Sequence, residues 1–502
     1  MDNFSLSLFD RLVNVNRSDS TALYEQLYRD LRDAIVDGQL PPDTRFPSSR
    51  TLADHLDLSR NTVTNAFDQL RSEGYVYSRV GSGTYVSPEL PERHTRVAPP
   101  DTDLSSLRLT DVHARSPSLS DRAEQVANLS LSKVDNPSMA TAFRPGVPAL
   151  DAFPIDTWST LASRRWRTLP PNELVYGDPA GYAPLREAIA EYLRTARGVR
   201  CEATQVLIVS GIQQACTLAA RVLLNTGDNV YVEDPGFPQL RAAFEAVGAT
   251  THPIPVDENG LSLPSDAPTN PPQLVGVTPS HHYPLGMTMP LSRRVELVEW
   301  AARHDTWIFE DDYDSEFRYG GEPIAALQGL DNAGRVLYAG TFSKVLFPAL
   351  RLGYLVVPPD LVDPFVQMRT IADRGSPRIN QIILTDFITE GHFEKHIRQM
   401  RTLYAARQTA LLDAVDREFD GFIEVDPNDA GLHLIGWLPE GVDDRAVSDH
   451  LDQHDLVALP LSFYADRDLD RGGLLLGYGG LSEEEIHEEV RRMADALADF
   501  QS

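Results

Sequence analysis

The amino-acid sequence predicts an α/β protein that carries a small helical module at its N-terminus. Three observations lead to this prediction. Residues 1–87 contain three amphipathic helical patterns, followed by two short alternating runs around a glycine-rich tip. Residues 88–135 are rich in Pro, Ser, Arg and Asp without a sustained period, which is typical of a linker. In residues 136–502 strand-like runs alternate with helical patterns, which predicts a mainly parallel central sheet.

Length and composition agree with a globular chain of several domains. The chain has 502 residues, of which 42% are hydrophobic and 24% charged, so wholesale disorder is not expected. No window approaches the ~18 uninterrupted apolar residues of a membrane span. The N-terminus also lacks the basic start and apolar stretch of a signal peptide. Cys201 and Cys216 are too few for a disulfide framework. We therefore expect a cytoplasmic protein with no membrane partner.

The charge is strongly acidic, with a net value of −28, and the chain has only three lysines: Lys133, Lys344 and Lys395. Adaptation to a high-salt cytoplasm would favour such a composition, because a dense carboxylate shell stays soluble when salt screens repulsion. A GC-rich genome would also explain the scarcity of lysine, although not the excess of acid. Both interpretations stay open. A lysine-dependent chemistry has three candidate residues.

The N-terminal module begins with a helix over residues 21–38, because apolar residues recur every four positions from Leu23 to Ile35. A second helix follows Ser48 and a third follows Ser59, since serine is a favoured N-cap. The runs YVYSRV and TYV around the tip GSG predict a β-hairpin. Three helices followed by a two-stranded wing is the plan of a winged helix-turn-helix.

In a winged helix-turn-helix the third helix enters the DNA major groove by its N-terminal end. Arginine can bind guanine there, and asparagine can bind adenine, through paired hydrogen bonds. The residues expected to contact DNA from the helices and the turn before them are Arg45, Arg50, Arg60, Thr62, Thr64 and Asn65. Arg79 and Gly81 would lie along the DNA backbone as part of the wing.

Charge is the observation against DNA binding. Residues 21–87 hold seven Arg, no Lys and nine acidic residues, whereas a DNA-binding domain usually shows a basic surface. A relic module that serves protein contacts is the alternative interpretation.

Residues 21–87 resemble the GntR family of bacterial regulators. The stretches FPSSRTLADHL, LSRNTVTNAFDQL and SEGYVYSRVGSGTYV carry the resemblance. It implies operator DNA as a partner, with contacts from Arg50, Arg60 and Thr64 and from the wing near Arg79 and Gly81.

In the large domain, polar turns follow several strand-like runs. QVLIVSGIQQ places backbone N–H groups at the start of a helix, where a phosphate can bind. WIFEDDYDSEFRY places carboxylates at the end of one strand, and RVLYAGTFSK places Lys344 in a polar turn after another. Sites in open α/β sheets form at the carboxyl ends of strands. A lysine, a carboxylate and a phosphate cradle together are what pyridoxal phosphate needs for a Schiff base, a protonated ring nitrogen and a bound phosphate.

Residues 141–502 resemble fold-type I aminotransferases, in which a smaller C-terminal α+β subdomain follows the large sheet. The whole chain resembles the MocR/GabR-type regulators, which join a GntR winged helix to an aminotransferase-like domain by a linker. TFSK followed by RLGY, and EDDYDSEFRY, carry this resemblance. It implies pyridoxal phosphate on Lys344, with Asp311 at the pyridine nitrogen and Tyr313 at the ring hydroxyl. The other implied cofactor residues are Thr341, Ser343, Arg351, Ile212 and Gln213 at the phosphate, Phe237 against the ring, Tyr283 near the ring hydroxyl, and Tyr176 from a neighbouring subunit. A homodimer follows from the role of Tyr176.

Two departures from the aminotransferase pattern affect the functional expectation. Tyr283 stands where aminotransferases usually have asparagine, and Leu475 and Leu476 stand where their arginine pairs with the substrate carboxylate. Arg471 lies a few residues earlier and is a candidate replacement. Without a bidentate carboxylate clamp, efficient transamination is not expected, whereas Schiff-base formation remains feasible.

The sequence therefore favours a transcription regulator that senses pyridoxal phosphate itself or an amino compound such as γ-aminobutyrate or taurine. The alternatives are a working aminotransferase with an appended DNA-binding module, and a scaffold that has lost its cofactor.

Metal binding is the alternative interpretation of two polar clusters. The carboxylates of residues 310–314 could form an acidic site, but strand alternation sends neighbouring side chains to opposite faces. His281 and His282 offer only two ligands, and the family usually has Gln at the second position. We therefore expect no metal. Neither cysteine has a visible base beside it, so both are expected to be inert.

Overall fold

The computed structural model describes residues 6–17, 19, 21–79, 82–90, 119–127, 142–264, 270–320 and 324–500. The chain divides into two compact units, Met1–Ser116 and Pro117–Ser502. No helix among these residues is long and apolar enough to cross a membrane.

The first unit is the winged helix-turn-helix that the sequence predicts. Its helices are α1 (Phe9–Leu12), α2 (Leu23–Val36), α3 (Ser49–His55) and α4 (Arg60–Ser72). Strands β1 (Val76–Arg79) and β2 (Gly83–Val86) pair antiparallel and form the wing. The Ser48 and Ser59 side chains accept hydrogen bonds from the backbone N–H groups of Thr51 and Thr62, each at 3.1 Å, so both predicted caps are confirmed. The helices pack on a core that includes Leu27, Leu31, Ile35, Val63, Phe67 and Leu70.

A short helix, α5 (Asp121–Ala127), lies inside the stretch predicted as a linker. The backbone N–H of Ala123 donates to the Ser120 hydroxyl at 3.2 Å, so this helix begins with a serine cap as α3 and α4 do. The sequence DRAEQVA is rich in helix-forming residues, but one or two turns are too short to show a hydrophobic period. Most of the remaining predicted linker lies outside the described residues.

The second unit is built on an eight-stranded sheet. Its strands are β3 (Val206–Val209), β4 (Asn229–Asp234), β5 (Thr250–Asp257), β6 (Gly260–Leu261), β7 (Leu274–Val277), β8 (Trp307–Asp312), β9 (Val336–Thr341) and β10 (Gly353–Val356). Their order across the sheet is β3-β10-β9-β8-β7-β4-β5-β6. Strands β4, β5, β7, β8 and β9 pair in parallel. Strand β10 runs antiparallel to both its neighbours, and β6 pairs antiparallel with β5 at the edge. The sheet is thus mixed but mainly parallel, as predicted.

Helices cover this sheet, and a smaller α+β subdomain completes the unit. The helices are α6 (Ile155–Thr168), α7 (Ala183–Ala196), α8 (Ile212–Leu223), α9 (Pro238–Glu245), α10 (Leu291–His304), α11 (Phe342–Val345), α12 (Val362–Ala372), α13 (Arg378–Thr389), α14 (His392–Phe419), α15 (Asp444–Asp452) and α16 (Glu483–Phe500). The second sheet has strands β11 (Glu424–Val425), β12 (His433–Trp437), β13 (Leu459–Pro460) and β14 (Gly473–Gly477). These pair antiparallel in the order β11-β12-β14-β13. The predicted C-terminal α+β subdomain is confirmed.

Candidate functional site

A cavity of about 440 Å³ lies at the carboxyl ends of β8 and β9, between the start of α8 and the C-terminal subdomain. This is the edge of an open α/β sheet where ligands bind. The structure brings ten of the eleven expected cofactor residues to its wall. They are Ile212, Gln213, Phe237, Tyr283, Asp311, Tyr313, Thr341, Ser343, Lys344 and Arg351.

Lys344 lies on α11, directly after β9, and its ammonium group reaches into the cavity. Its Nζ donates a hydrogen bond to the backbone carbonyl of Gly146 at 2.9 Å. Burial lowers the pKa of this amine; Asp314 and Asp311 oppose the effect, and Arg144 adds to it. A lowered pKa favours the neutral, nucleophilic amine that a Schiff base requires. Gly146 allows this approach because a Cβ there would lie 2.3 Å from the Lys344 Nζ.

Asp311 is the middle one of three consecutive carboxylates on β8. Glu310 accepts hydrogen bonds from the backbone N–H groups of residues 327–328, both at 2.8 Å. Asp312 pairs with Arg197 at 2.9 Å. Asp311 alone of the three lines the cavity, because alternation along the strand sends its neighbours to the other face. The three carboxylates therefore do not converge as a metal site would require.

Three buried polar atoms of cavity-lining residues lack a hydrogen-bond partner within the described part of the chain. They are Oε1 of Gln239, Oδ1 of Asp311 and the hydroxyl oxygen of Ser343. Burial raises the pKa of Asp311 well above its usual value, and repulsion from Asp312 and Asp314 adds to the rise. A protonated pyridine nitrogen would supply the positive partner that this carboxyl lacks. The cavity therefore fits pyridoxal phosphate in the way the sequence implies.

The start of α8 and the residues after β9 form a cradle for an anion. Gly211 precedes α8 with a φ of 111°, and the first N–H groups of a helix have no partner inside it. A Cβ on Gly211 would lie 3.7 Å from the Arg351 guanidinium, so this cation stands beside the helix N-terminus. The Thr341 hydroxyl accepts a hydrogen bond from the Ser343 backbone N–H at 3.1 Å. Backbone donors, hydroxyls and an arginine together suit a phosphate.

Tyr313 belongs to a hydrogen-bonded chain with His281 and Asp314. His281 Nδ1 lies 2.9 and 3.1 Å from the two Asp314 carboxylate oxygens and 2.9 Å from the Tyr313 hydroxyl. Because Nδ1 faces a carboxylate, we assign a hydrogen to this nitrogen, and the Asp314 carboxylate and the Tyr313 oxygen share it as acceptors. The hydrogen of the Tyr313 hydroxyl is then available to an acceptor in the cavity. Gly431 packs on the imidazole so closely that a Cβ there would lie 2.0 Å from His281 Cε1.

The second histidine of the pair has a different environment. His282 lies 3.7 Å from Glu233, and burial lowers the pKa of His282 to about 3, so the ring is neutral. Burial also raises the pKa of Glu233 to about 8. The two adjacent histidines thus contact different carboxyl groups, which the sequence pattern did not show.

Aromatic rings form one side of the cavity. The Phe237 and Tyr283 rings meet edge to face, with centroids 5.6 Å apart. The Tyr283 hydroxyl donates to the Tyr464 hydroxyl at 3.1 Å, and burial raises the pKa of Tyr283 to about 12. This wall offers a flat ring of the cofactor an apolar surface.

Tyr176 is the expected cofactor residue that does not line the cavity. Its side chain is 84% exposed, and the Arg374 guanidinium lies 5.4 Å from its ring centroid. Leu174 and Val175 beside it are also exposed. A role for Tyr176 at the cofactor thus needs a second subunit.

Arg471 does not stand in for the missing carboxylate arginine. Its guanidinium donates to the Leu438 carbonyl and to Glu424 at 2.6 Å, outside the cavity wall. Leu475 is fully buried among apolar side chains.

Sequence reasoning missed several cavity residues. They are Arg144, Gly146, Asp314, His433, Asp449 and Asp452. Gly146 lies 198 positions before the lysine that it contacts, and no local pattern predicts such a contact. The stretch FRPG at 143–146, with a glycine after a proline, was the available signal for a special turn.

The expected DNA-contacting residues cluster at the start of α3 and α4. Arg45, Arg50, Arg60 and Asn65 are exposed. The hydroxyls of Thr62 and Thr64 are engaged within the helix, with the Ser59 hydroxyl and the Arg60 carbonyl, each at 2.8 Å. Arg60 and Asn65 therefore form an exposed polar surface in the N-terminal half of α4, where contact with a DNA groove is expected.

Arg79 is held inside the wing. It donates to Asp43 at 3.1 Å, and its guanidinium lies over the Tyr77 and Tyr85 rings at 5.2 and 4.8 Å. These contacts fix the hairpin and partly neutralise the charge expected to face DNA. Gly81 lies outside the described residues.

The fold and the cavity define a pyridoxal-phosphate-dependent domain of fold-type I joined to a winged helix. Residues 23–86 match the family model of bacterial regulatory proteins of the gntR family, and residues 154–490 match aminotransferase class I and II. The chain is 38% identical over 491 residues to a probable rhizopine catabolism regulatory protein, MocR, of Rhizobium meliloti, covering 98% of this chain and 97% of the relative. It is 30% identical to the pyridoxine biosynthesis regulator PdxR of Corynebacterium glutamicum, covering 98% and 99%.

Among solved structures, the second unit resembles the α-aminoadipate aminotransferase LysN of Thermus thermophilus, which was solved with N-(5'-phosphopyridoxyl)-L-leucine. The TM-score is 0.66 at 27% identity, and the match covers 76% of this chain and 95% of that one. The chain belongs to the MocR/GabR-type family of transcriptional regulators.

Proposed function

We propose that this regulator holds pyridoxal phosphate at Lys344 and senses either that compound or an amino compound that joins it in the cavity. One observation carries the proposal: the buried, unpartnered Asp311 oxygen faces the same cavity as Lys344 and Arg351. When bound, the cofactor supplies an aldehyde and an electron-poor ring.

The residues of the chain have separate tasks in this proposal. Lys344 provides the amine, and its lowered pKa keeps part of it neutral. Asp311 holds the ring nitrogen, and Tyr313 donates its hydroxyl hydrogen to the ring oxygen. Arg351 and the start of α8 bind the phosphate.

Operator binding is the activity that the effector would regulate. The exposed arginines and Asn65 at α3 and α4 face operator DNA in the proposal, with two copies of the winged helix in a homodimer. A signal reaches DNA only if the effector binds two arrangements of the dimer with different affinity.

Exposed apolar residues support the homodimer. Leu174, Val175 and Tyr176 are consecutive and are 67%, 64% and 84% exposed. A contiguous apolar segment of this kind is typical of a protein interface. Tyr176 would reach the phosphate of the other subunit across it.

The test is an absorbance spectrum of the full chain with added pyridoxal phosphate. We expect a band near ~420 nm from the lysine-bound cofactor, and its loss in Lys344→Ala. Lys395→Ala is the matched control, since Lys395 lies on α14 and does not line the cavity. A wild-type protein without the band, or a Lys344→Ala variant that keeps it, contradicts the proposal.

A turnover assay separates the regulator from an active aminotransferase. With an amino donor and a keto acid we expect turnover far below the ~1–1000 s⁻¹ typical of enzymes, because Leu475 cannot clamp a carboxylate. Turnover in the enzymatic range would favour the aminotransferase.

A further inference from the structure

A fully buried arginine, Arg369, lies on α12. Its side chain does not line the cavity, and the proposed function does not use it. A guanidinium keeps its charge inside a protein, so its burial requires acceptors. Arg369 donates to the Asp373 carboxylate at 3.0 Å and to the Ser376 hydroxyl at 2.7 Å. Both acceptors lead, by separate chains of hydrogen bonds, to the start of α8.

The first chain of hydrogen bonds passes through Ser376. Its hydroxyl oxygen accepts from Arg369, so its own hydrogen can be donated to another oxygen. The Ser210 hydroxyl oxygen lies 3.3 Å away, and we assign the hydrogen to that contact. Ser210 stands directly before Gly211, which is the N-cap of α8. The guanidinium thereby holds the side chain of the residue that leads into the helix.

The second chain of hydrogen bonds passes through Asp373 and Gln214. The Gln214 Nε2 donates to Asp373 at 2.8 Å, on the same carboxylate oxygen that accepts from Arg369. This contact sets the orientation of the amide, because its nitrogen must face the carboxylate. Gln214 Oε1 then accepts from the Ser210 backbone N–H at 2.8 Å. Both chains thus begin at one guanidinium and meet at Ser210.

Ser210 adjoins the backbone that is expected to bind the cofactor phosphate. Gly211, Ile212 and Gln213 line the cavity, and the first N–H groups of a helix are donors for an anion. Gly211 has no side chain and a φ of 111°, so this turn does not fix its own direction. Donors bind an anion most tightly when they are oriented before it arrives. The contacts that Arg369 anchors at Ser210 can supply this orientation.

We propose that Arg369 is a positioning residue for the phosphate of the cofactor. Through the two chains of hydrogen bonds that meet at Ser210, it holds the first turn of α8 in the orientation that binds the phosphate. This inference rests on the proposed function, in which that turn binds the phosphate of pyridoxal phosphate. Because Arg369 does not line the cavity, its substitution weakens phosphate binding and leaves the reaction of the Lys344 amine with an aldehyde intact.

The experiment compares pyridoxal phosphate with pyridoxal, which has the same aldehyde and ring but no phosphate. Full-length protein is titrated with each compound, and binding is followed by the absorbance band near ~420 nm. The measured quantity is the ratio of the two dissociation constants, which isolates the contribution of the phosphate. A variant that only disturbs the fold weakens the binding of both compounds and leaves this ratio unchanged.

In Arg369→Lys we expect the affinity for pyridoxal phosphate to fall about 10-fold and that for pyridoxal to change less than about twofold. Lysine keeps the charge but cannot hold two acceptors in the geometry of a guanidinium fork. Ser376→Ala and Gln214→Met each remove one chain of hydrogen bonds and should weaken pyridoxal phosphate binding about threefold. Arg294→Lys is the matched control and should leave the ratio unchanged. Arg294 is equally buried and donates to the backbone carbonyls of residues 279, 289 and 325, none of which belongs to α8.

Three results would overturn the proposal: an Arg369→Lys variant that loses pyridoxal as strongly as pyridoxal phosphate, one that binds both compounds as wild type does, or an Arg294→Lys variant that changes the ratio equally. If Arg369→Lys does not fold, the same ratio in Ser376→Ala and Gln214→Met decides, and an unchanged ratio in both overturns the proposal. Failure of the proposed function is distinguishable, because the wild-type protein would then lack the band or the preference for pyridoxal phosphate over pyridoxal.

Discussion

At the scale of single residues, burial has opposite effects on the acid and the base of the cavity. It raises the pKa of Asp311 and lowers the pKa of Lys344, so each group is shifted toward its neutral form. In the proposed function, a bound pyridine nitrogen would oppose this shift at Asp311 by providing a positive partner. Cofactor binding would then be coupled to the ionisation of a buried carboxyl.

The hydrogen bonds that join Asp314, His281 and Tyr313 lead to a prediction for cofactor affinity. Tyr313→Phe and His281→Gln should each weaken pyridoxal phosphate binding by about 1 kcal/mol, roughly fivefold, because each removes one oriented hydrogen bond. The double variant should lose no more than Tyr313→Phe, since His281 acts only through that hydroxyl. Fluorescence titration with the cofactor measures all three.

The adjacent histidine provides the control for this pair. His282→Gln should leave the affinity unchanged, because His282 is neutral and does not contact Tyr313 in the hydrogen bonds described above. If the losses of cofactor affinity in the double variant of Tyr313→Phe and His281→Gln were additive, His281 would act on the cofactor independently of the Tyr313 hydroxyl.

The residues that carry a local motif could be predicted from the sequence, and those that depend on the tertiary fold could not. Lys344, Asp311 and Arg351 stand in short patterns at strand ends, and the structure brings all three to the cavity. Arg144 and Gly146 come from a segment almost 200 residues away, which becomes part of the wall only when the chain folds. Arg471 is near the expected position in sequence, but it points to Glu424.

At the scale of elements, helices were predictable because their caps and periods are local. Ser48 and Ser59 begin α3 and α4 as expected. The sheet was predictable in kind but not in order. The residue pattern of a strand does not reveal whether it runs parallel or antiparallel to its neighbours. The sequence therefore could not show that β10 is inserted antiparallel between β3 and β9.

The cap of α4 gives a prediction for the DNA-binding unit. Ser59→Ala should lower its free energy of unfolding by about 1 kcal/mol, because the Thr62 N–H loses its acceptor. It should also weaken operator binding, since the first turn of α4 carries Arg60 and Thr62. Ser72→Ala, at the other end of the same helix, should have a smaller effect. Thermal unfolding measures the change in stability, and a DNA-binding titration measures the change in operator affinity. Equal losses of stability in Ser59→Ala and Ser72→Ala would contradict a stabilising role of the Ser59 cap.

At the scale of the whole molecule, the proposed function requires a homodimer. The expected role of Tyr176 needs a second subunit, and the two residues before it, Leu174 and Val175, are exposed and apolar. Leu174→Asp should therefore shift the protein toward monomer at micromolar concentration and weaken cofactor binding, because a buried unpaired charge opposes association. Analytical ultracentrifugation measures the shift.

The control for the dimer is an apolar residue of equal exposure elsewhere. Leu291, at the start of α10, is 64% exposed, compared with 67% for Leu174. Leu291→Asp should leave the oligomeric state unchanged. Dissociation by both variants, or by neither, would count against an interface at residues 174–176.

The hydrogen bond from Lys344 to Gly146 has a consequence for the segment that begins the cavity wall. Residues 142–146 lie in the second unit, a few positions after the predicted linker of residues 88–135. A Schiff base on the lysine nitrogen would compete with the hydrogen bond that ties this nitrogen to the Gly146 carbonyl. The occupancy of a single nitrogen atom therefore decides whether residue 146 is tied to α11.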